Sequence, residues 1–293
     1  ELGSDSFDLN EALCPKDTQE IQLQNYQAEN FDLKLNKFAR YDENDSKFKF
    51  FQRDKRKGNF TIMDNEFPKV NFQQIAERQL KAAQHLCTDA EKLHLKTTWN
   101  LALGLGGHNV YETNITLHHL YGIPYIPASS VKGVVRSWII TQHQAFSHNP
   151  KGELDVESAE KRALQNENFC KIFGCPNDSA LKNSEGKRVA HQGSVIFFDA
   201  FPTKSPKVEI DIMNPHYQPY YSDTKTPPAD YFSPVPVPFL VVKDAAFQFI
   251  IGSNNTAWLS CKIGTKNIKQ WLSDALQNHG IGAKTAVGYG YFK

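Results

Sequence analysis

The sequence predicts an α+β fold, and three observations lead to it. Leucine, threonine and tryptophan residues occupy every odd position from Leu93 to Leu105, a period of two that is typical of a strand with one buried face. Apolar residues recur at helical spacing in three segments, 68–87, 129–139 and 268–276. Short apolar runs predict further strands at 193–201, 239–242 and 246–251, the last two as a hairpin that turns at Asp244.

The composition limits the classes of protein that the chain can belong to. Its 293 residues are 40% hydrophobic, which is enough for one large core or two small ones. Lys and Arg number 33 against 32 Asp and Glu, so any RNA binding must use a local patch of charge. Five cysteines at scattered positions favour a reducing compartment. Because no apolar run reaches the ~18 residues of a membrane span and no signal peptide opens the chain, a cytoplasmic location is expected.

The first ninety residues are predicted to form an N-terminal extension, 1–90, mainly helical and packed on a core domain. Helices are expected at 18–38 and at 68–87, the second with Asn71 as a candidate N-cap. Between them, the segment 47–57 reads K-F-K-F-F-Q-R-D-K-R-K. Basic residues among aromatics suit a single-stranded nucleic acid, and an amphipathic strand with solvated charges is the alternative.

A loop with glycines follows the alternating strand. Gly104, Gly106 and Gly107 lack the G-x-G-x-x-G spacing of a dinucleotide site, and a loop follows them instead of a helix. The loop also carries His118 and His119. These are candidates for a general base, a metal ligand or a contact to a phosphate bound nearby, and solvated or stacking rings are the alternative.

The segment 121–138 reads Y-G-I-P-Y-I-P-A-S-S-V-K-G-V-V-R-S-W and predicts an extended entry into a helix. Pro124 and Pro127 keep the chain extended, and Ser129 or Ser130 is then the expected N-cap. The predicted apolar face of the helix consists of Val131, Val134, Val135, Trp138 and Ile139.

The polar side of the same helix start is a candidate phosphate site. Ser129, Ser130, Lys132 and Arg136 lie where exposed backbone N–H groups and the positive end of the helix dipole favour an anion. An ordinary capped surface helix with solvated basic residues is the alternative.

The middle of the chain offers a weak metal pattern and two structural expectations. Cys170 and Cys175 form a C-x4-C with His191 downstream, which lacks a clear fourth ligand, so no metal site is predicted. The run V-I-F-F within 193–201 predicts a strand buried on both faces. The segment 202–238 is too rich in proline for a central strand and too aromatic for a disordered linker, so we expect an ordered excursion from the sheet.

The C-terminal segment carries closely spaced glycines after a helix that is expected to end before Gly280 and Gly282. Its G-A-K-T is not a P-loop, because the earlier glycine is missing and a strand-like A-V-G-Y-G-Y-F follows. Glycines permit positive φ and close backbone approach, so their N–H groups are candidates to line an RNA backbone, with charge from Lys284. A tight helix-to-strand turn is the alternative.

Three segments resemble the RAMP superfamily of CRISPR-associated RNA-binding proteins. The segment 126–133 fits I-P-x-S-S-x-K-G, which in that family opens the first helix of a ferredoxin-like domain. The segment 193–202 reads G-S-V-I-F-F-D-A-F-P, and 280–292 resembles the family's C-terminal glycine-rich loop. Two further segments, 213–221 and 227–240, resemble a subunit of Cmr-type (type III-B) effector complexes. The resemblance covers roughly residues 93–293.

The resemblance implies a ferredoxin-like (RRM-like) RAMP domain at 91–293, with the N-terminal extension and with a Pro/aromatic-rich insertion at 202–238. The polar face of the first strand would then be a surface over which RNA runs. The RNA-binding residues that it implies are Ser129, Ser130, Lys132, Arg136, His118, His119, Gly282, Lys284, Thr285, Gly288, Tyr289 and Gly290. It implies no catalytic residue, metal or cofactor.

The function implied by the resemblance is that of a non-catalytic subunit that grips the CRISPR guide RNA near its 3′ end in antiviral defence. The implied partners are the guide RNA and its target RNA duplex, the backbone RAMP subunits and the small helical subunit, with no membrane. The alternative is an endoribonuclease, since some RAMP relatives process guide RNA with a histidine and others cut target RNA with an aspartate. The sequence offers no paired carboxylates or His–Tyr–Lys set at a convincing spacing.

Overall fold

The structure is a computed structural model that describes residues 29–37, 40–42, 47–49, 51–53, 60–62, 67, 69–109, 111–217, 220, 225–227, 229 and 233–293. Among these residues, no helix is long and apolar enough to cross a membrane. The helices are α1 (Phe31–Asn36), α2 (Phe72–Leu86), α3 (Ala128–Gln142), α4 (Gln144–Ser147), α5 (Ala159–Ala163), α6 (Glu167–Phe173), α7 (Ala257–Ser260) and α8 (Ile268–Asn278).

The strands are short in the first part of the chain and longer near its end. They are β1 (Arg40–Asp42), β2 (Lys47–Lys49), β3 (Phe51–Arg53), β4 (Phe60–Ile62), β5 (Asp89–Lys96), β6 (Gly174–Cys175), β7 (His191–Gln192), β8 (Val195–Phe197), β9 (Phe201–Pro202), β10 (Lys207–Met213), β11 (Val237–Lys243), β12 (Ala246–Ser253), β13 (Lys262–Ile263) and β14 (Lys266–Asn267). The mixture of helices with antiparallel sheets agrees with the predicted α+β class.

The chain divides into two units. The first comprises residues 1–70, 104–123 and 207–241, and the second comprises 71–103, 124–206 and 242–293. The helix start at Ser129 and Ser130 and the C-terminal glycine loop at 280–290 belong to the second unit, whereas His118 and His119 belong to the first. The predicted extension 1–90 and core domain 91–293 stay a prediction.

Strand β12 is the centre of a four-stranded sheet in the second unit. It pairs antiparallel with β5 along its whole length, from Ala246 opposite Lys96 to Ser253 opposite Asp89. On its other edge it pairs with β8 and β9. Every residue from 247 to 253 is buried, as expected for a strand with both faces covered.

Helix α2 packs on one face of this sheet. Asn71 is its N-cap, as predicted, and its side-chain oxygen accepts a backbone N–H at 3.0 Å. Gln248, in the middle of β12, donates its side-chain N–H to the carbonyl of Ala76 in α2 at 2.8 Å. His94 lies opposite Gln248 in the register, and burial lowers its pKa. Helix α2 therefore occupies part of the polar face over which RNA was expected to run.

The first strand of the sheet is shorter than the alternating pattern predicts. β5 ends at Lys96, and the predicted burial fails at Trp99, which is 47% exposed, and at Asn100, which is buried. The alternation ends because the chain changes its pairing partner. β5 pairs with β12, whereas Thr98 donates its N–H to the carbonyl of Tyr291 at 2.9 Å. The predicted continuous strand to residue 105 is therefore wrong beyond Lys96.

Helix α3 confirms the predicted helix but not its predicted cap. It begins at Ala128, and Pro127 takes the N-cap position without a side-chain hydrogen bond, so both serines lie inside the first turn. The predicted apolar face is buried at Val131, Val135 and Ile139. Trp138 donates its indole N–H to Asp274 in α8 at 2.9 Å, which fixes the two helices together.

The predicted strand at 193–201 consists of two short strands, β8 and β9, that pair with β12 in succession. Val195 and Phe197 are buried, whereas Ile196 between them is 39% exposed. One face of β8 is therefore open to solvent at this edge of the sheet, and the expectation of two covered faces is wrong.

The predicted hairpin is also wrong, although both of its strands exist. β11 pairs with β10, whereas β12 pairs with β5, β8 and β9. Asp244 turns the chain between them with a φ of 52°. The carbonyls of Val242 and Ala245 accept the N–H groups of Leu101 and Thr97 at 2.8 and 2.9 Å. The segment 97–101 therefore takes the positions that a hairpin partner would have used.

Helix α8 and the turn after it agree with the prediction. Asn267 and Gln270 form a reciprocal capping box at its start, and Gly280 follows its end with a φ of 77°. A short 3₁₀ helix, Thr285–Val287, then replaces the predicted strand. The chain becomes strand-like only near its end, where Phe292 bridges to Thr97.

The described residues of the first unit include α1 and the two-stranded sheets β1–β2, β3–β4 and most of β10–β11. Asn30 caps α1, and its amide also donates to the carbonyls of His119 and Leu120 at 3.0 and 3.1 Å. Phe31 packs edge-on against Phe67 with ring centroids 5.7 Å apart. The described part of residues 29–62 holds one short helix and four short strands, and the expectation of a mainly helical extension over 1–90 stays a prediction.

Some predictions fall partly outside the described residues. Residues 18–28 of the predicted helix lie outside them, as do Phe50 and 54–57 of the basic and aromatic segment. Tyr221, Tyr231 and Phe232 of the predicted excursion lie outside them as well. The excursion cannot begin at 202, because Pro202 pairs with Phe247 and 207–213 form a strand in which Val208 is fully buried.

Candidate nucleic-acid interface

The N-terminus of α3 already has a negatively charged neighbour. The N–H of Ala128 donates to the carboxylate of Asp199 at 2.7 Å, and the N–H of Ser130 donates to the carbonyl of Pro127 at 2.9 Å. Ser129 and Ser130 are both exposed. A phosphate at this helix end would therefore use the serine hydroxyls while lying near a carboxylate, which weakens the site that the sequence predicts.

The two basic residues of α3 have different surroundings. Lys132 is half-buried, and burial together with the charge of Arg136 lowers its pKa. Arg136 donates to the carboxylate of Glu160 at 2.6 Å, and its guanidinium lies 5.4 Å from the centre of the Phe169 ring. Arg136 thus already contacts groups of α5 and α6, and Lys132 as a phosphate contact stays a prediction.

The glycine loop at 280–290 follows a path that requires left-handed backbone at several positions. Gly282, Lys284, Gly288 and Gly290 have φ of 96°, 62°, 99° and 76°. The N–H groups of Ala283 and Gly290 donate to the carbonyls of Ala102 and Asn100 at 2.9 and 2.8 Å. Positive φ at the glycines confirms the sequence-based prediction, but these two amides stabilise the loop instead of facing outward.

The glycines of this loop are needed for different reasons. A Cβ at Gly282 would overlap the carbonyl oxygen of Ala102, and one at Gly290 would overlap that of Ile281. A Cβ at Gly288 would meet only the indole of Trp99, at 3.6 Å. Gly282 and Gly290 are therefore explained by packing inside the protein, and Gly288 is the glycine of the three whose open side faces an exposed side chain.

The remaining predicted residues of the loop differ in exposure. Thr285 starts the 3₁₀ helix and is half-exposed, as is Lys284. Tyr289 is 7% exposed, and its ring lies 4.7 Å from that of Trp99. Tyr289 thus supports the exposed tryptophan, which the alternating pattern had assigned to the core.

The histidine pair belongs to the first unit and forms a stack of rings. The His118 ring lies 5.1 Å from His119 and 4.7 Å from Tyr121, with interplanar angles of 17° and 19°. The N–H of His118 donates to the carbonyl of Ile123 at 2.8 Å, which closes the turn at Gly122. Stacking was one of the two alternatives for these residues, and the proximity of the pair to the α3 site stays a prediction.

Residues 92–293 match the RAMP superfamily, which is well over half of the chain. The chain belongs to the RAMP superfamily. The matched range includes the N-terminus of α3, the glycine loop and the four-stranded sheet except residues 89–91 of β5.

Two curated relatives extend this RAMP assignment. The CRISPR system Cmr subunit Cmr6 of Pyrococcus furiosus is 34% identical over 227 residues, covering 67% of this chain and 65% of the relative. The Cmr6 subunit of Saccharolobus solfataricus is 25% identical over 239 residues, covering 79% of this chain and 66% of the relative. The chain thus spans just under two thirds of each relative. The predicted resemblance to the RAMP superfamily and to a subunit of Cmr-type complexes is confirmed, and the subunit is the sixth, Cmr6.

Solved structures of the same systems are also similar. A chain in the type III-B Cmr-beta complex bound to cognate target RNA has 21% identity and a TM-score of 0.49, covering 79% of this chain and 66% of that chain. The crystal structure of Cmr6 from Pyrococcus furiosus has 32% identity and a TM-score of 0.37, covering 70% and 97%. With TM-scores below 0.5, the RAMP assignment rests on the sequence matches.

Cys170 and Cys175, the described pair that the sequence singled out, have surroundings that do not favour metal binding. Burial, and then its contact with Cys175, raise the pKa of the Cys170 thiol to about 11, and the thiolate is the form that binds metals. Cys175 lies opposite His191 in the β6–β7 pair and accepts a hydrogen bond from Ser179. Among the described residues, no group of three or more His, Cys, Asp or Glu is placed to hold a metal ion.

Three important residues of the RAMP domain escape the sequence reasoning. Asp199 is in the segment G-S-V-I-F-F-D-A-F-P, and a carboxylate inside a strand that was predicted to be buried on both faces was the available signal. Glu160 and Trp99 carried no signal, because the contact of Glu160 with Arg136 spans 24 residues and Trp99 fits the buried alternation. The structure places the α3 and glycine-loop candidates in one unit.

Proposed function

We propose that this chain is a non-catalytic subunit of a type III-B (Cmr) effector complex that binds the CRISPR guide RNA near its 3′ end. The observation that carries the proposal is the match of residues 92–293 to the RAMP superfamily together with 34% identity to Cmr6 of Pyrococcus furiosus. The target RNA duplex, the backbone RAMP subunits and the small helical subunit are its proposed partners. Its proposed location is the cytoplasm.

The proposed architecture is a ferredoxin-like RAMP domain at 91–293 behind an extension at 1–90. The antiparallel sheet around β12 and its helices α3 and α8 support this assignment. The insertion predicted at 202–238 is proposed to project from this domain toward RNA or a neighbouring subunit, beginning after Pro202, which pairs with Phe247 in the sheet.

The proposed RNA grip combines hydroxyl, ammonium and backbone groups. Ser129 and Ser130 are exposed at the start of α3, and half-buried Lys132 follows one turn later. The glycine loop adds Lys284 on left-handed backbone. Such contacts are made to phosphates and therefore give affinity with little preference for sequence.

The proposal is tested by co-expressing the full chain with the other subunits of a Cmr complex and a guide RNA. We expect the chain to co-purify with them, and protein–RNA crosslinks to fall on α3 and the glycine loop toward the 3′ end of the guide. The isolated protein should bind single-stranded RNA weakly, with affinity that falls as salt rises. An assembled complex without crosslinks to this chain would contradict the proposal.

An endoribonuclease is the second candidate, and the stacked pair His118 and His119 beside Tyr121 is the observation that favours it. It is tested by incubating the purified protein with guide and target RNA, with and without divalent metal. We expect both RNAs to stay intact. Cleavage that is lost in His118→Ala or His119→Ala would establish the enzyme instead.

A further inference from the structure

We propose that Trp99 is a stacking platform for an unpaired base of single-stranded RNA, placed beside the glycine loop and on the strand segment that pairs Lys96 with Lys293. The inference rests on the proposed RNA-binding function and adds a residue and a contact type to it. None of these three side chains belongs to the RNA-binding set predicted from the sequence.

The exposure of Trp99 is the first observation. Its side chain is 47% exposed, although it follows the buried Thr97 at the spacing that keeps a residue on the same face of a strand. The next residue, Asn100, is buried instead. The strand therefore changes course at this point and turns the largest apolar side chain of the segment outward. A ring in solvent presents the π-face on which any base can stack.

The glycine loop holds the indole in place. The Tyr289 ring lies 4.7 Å from Trp99 at an angle of 43°, and Tyr289 itself is buried. Gly288 of the loop also borders the indole, because a Cβ added at Gly288 would lie 3.6 Å from the ring. Because the indole packs on a buried ring and on backbone, little side-chain entropy remains to be lost when a base binds.

The charges beside the tryptophan favour RNA as the ligand. Lys96 and Lys293 exchange two backbone hydrogen bonds at 2.9 and 2.8 Å, so their side chains lie next to each other, and both residues are exposed. Thr97 pairs with Phe292 and Thr98 with Tyr291, which ties this pair of lysines to the segment that carries Trp99. Two exposed lysines on the strand segment that also carries an exposed aromatic ring suit a phosphate backbone with a stacked base.

A purely apolar protein partner fits this surface less well. Val287 of the loop is 63% exposed beside Trp99, but the adjoining Lys96 and Lys293 would have to be desolvated or paired by such a partner. Interface cores are depleted in lysine and in other charged residues, whereas RNA supplies the opposite charge. Loss of a partner subunit, with RNA binding unchanged, is therefore the outcome that would assign this surface to protein docking.

The experiment uses the full chain and a fluorescently labelled single-stranded oligouridine, with a matched strand that lacks bases at consecutive positions. Trp99→Leu should weaken binding of the intact strand by about 5- to 150-fold, the range of stacking on one aromatic residue. The dependence of affinity on salt should not change, because no phosphate contact is removed. Trp99→Phe should retain most of the affinity. The strand without bases should bind wild type and Trp99→Leu equally.

Trp258→Leu is the matched control, because Trp258 is a half-buried tryptophan of the same unit that packs against Lys171. It should bind RNA as wild type does, and circular dichroism melts should show that all three variants fold. If Trp99→Leu does not fold, Trp99→Phe and the strand without bases still test the stacking. Wild-type affinity and base dependence in Trp99→Leu would overturn this inference alone, whereas no RNA binding by wild type, alone or in the complex, would overturn the proposed function too.

Discussion

The carboxylate of Asp199 accepts the N–H of Ala128 at 2.7 Å and so places a negative charge at the N-terminus of α3. This is the end at which the sequence predicts a phosphate. The Asp199 carboxylate and a bound phosphate would compete for this helix end. The carboxylate stabilises α3, because it accepts an N–H group at the positive end of the helix dipole, and it repels an approaching phosphate.

Asp199→Ala should separate these effects. Removal of a capping acceptor costs about 0.5–2 kcal/mol, so the free energy of unfolding in urea should fall by that amount. Affinity for single-stranded RNA should rise, because the repulsive charge is gone. Asp199→Asn is the control, since it keeps an acceptor without the charge and should gain RNA affinity with a smaller loss of stability. Weaker RNA binding in both variants would mean that Asp199 positions the RNA site instead of opposing it.

Lys132→Ala should remove one phosphate contact. The slope of log affinity against log salt should decrease by about 0.7–1, the value for one cation on a single strand, and the loss should be the same for different RNA sequences. Lys132→Arg should keep the slope. Lys182→Ala, at an exposed position of the same unit, is the control and should change nothing. An unchanged slope in Lys132→Ala would place this lysine outside the interface.

Gly288→Ala and Gly290→Ala should differ in stability. Both positions have positive φ, which costs an alanine about 1–2 kcal/mol. At Gly290 the added Cβ would also overlap the carbonyl of Ile281, whereas at Gly288 it would only touch Trp99. Urea unfolding should therefore show a folded Gly288→Ala protein and a far less stable Gly290→Ala protein. Equal losses would show that the loop relaxes around both.

Gly288→Val extends this comparison to RNA. Its branched side chain would reach the indole of Trp99, so guide RNA retention in the assembled complex should fall although the net charge is unchanged. Normal retention in a folded Gly288→Val complex would contradict a role for this side of the loop.

The parts of the fold that could be predicted from the sequence are those whose signal lies in neighbouring residues. The helices α2, α3 and α8 could be predicted because their apolar spacing and the caps at Asn71 and Asn267 are contained in neighbouring residues. The positive φ of the C-terminal glycines could be predicted for the same reason. The hairpin and the end of β5 could not, because their partners are Leu101 and Tyr291, which are distant in sequence.

The candidate site shows the same limit. The serines and Lys132 were found from a local pattern at a helix start, but the acceptor for Ala128 comes from Asp199, 71 residues away. The exposure of Trp99 likewise depends on strand pairing with the C-terminus, which no local pattern reports. Tertiary contacts thus decide which of the predicted polar groups are available to a ligand.

Deletion of residues 202–238 should unfold or strongly destabilise the protein, although the sequence predicts this segment as an excursion from the sheet. The segment includes Pro202 of β9 and the whole of β10, whose Val208 is fully buried, and losing a buried aliphatic side chain costs about 1–4 kcal/mol. Replacement of only 214–236 by a short Gly-Ser linker should leave a cooperative thermal transition. A folded protein after the full deletion would show that β9 and β10 are dispensable.

Asp274 should make stability depend on pH in a defined direction. Burial acts to raise the pKa of Asp274, but hydrogen bonds from Lys266 at 2.7 Å and Trp138 at 2.9 Å outweigh it, so the pKa is lowered in the folded state. A carboxyl with a lowered folded pKa stabilises the fold above its unfolded pKa, and this contribution is lost as the pH falls through the folded pKa.

Asp274→Ala should therefore reduce the free energy of unfolding by about 1–3 kcal/mol at neutral pH, the cost of leaving a part-buried donor such as the Trp138 indole without its acceptor. The difference from wild type should be constant above about pH 5 and should shrink as the pH falls below the ordinary aspartate pKa. Urea unfolding of both proteins at a series of pH values measures it, since carboxyls common to both cancel in the difference. Asp274→Asn keeps a neutral acceptor for Trp138 and should lose less stability than Asp274→Ala at neutral pH. If the difference between wild type and Asp274→Ala grew as the pH fell, the pKa of Asp274 would be raised in the folded state and not lowered.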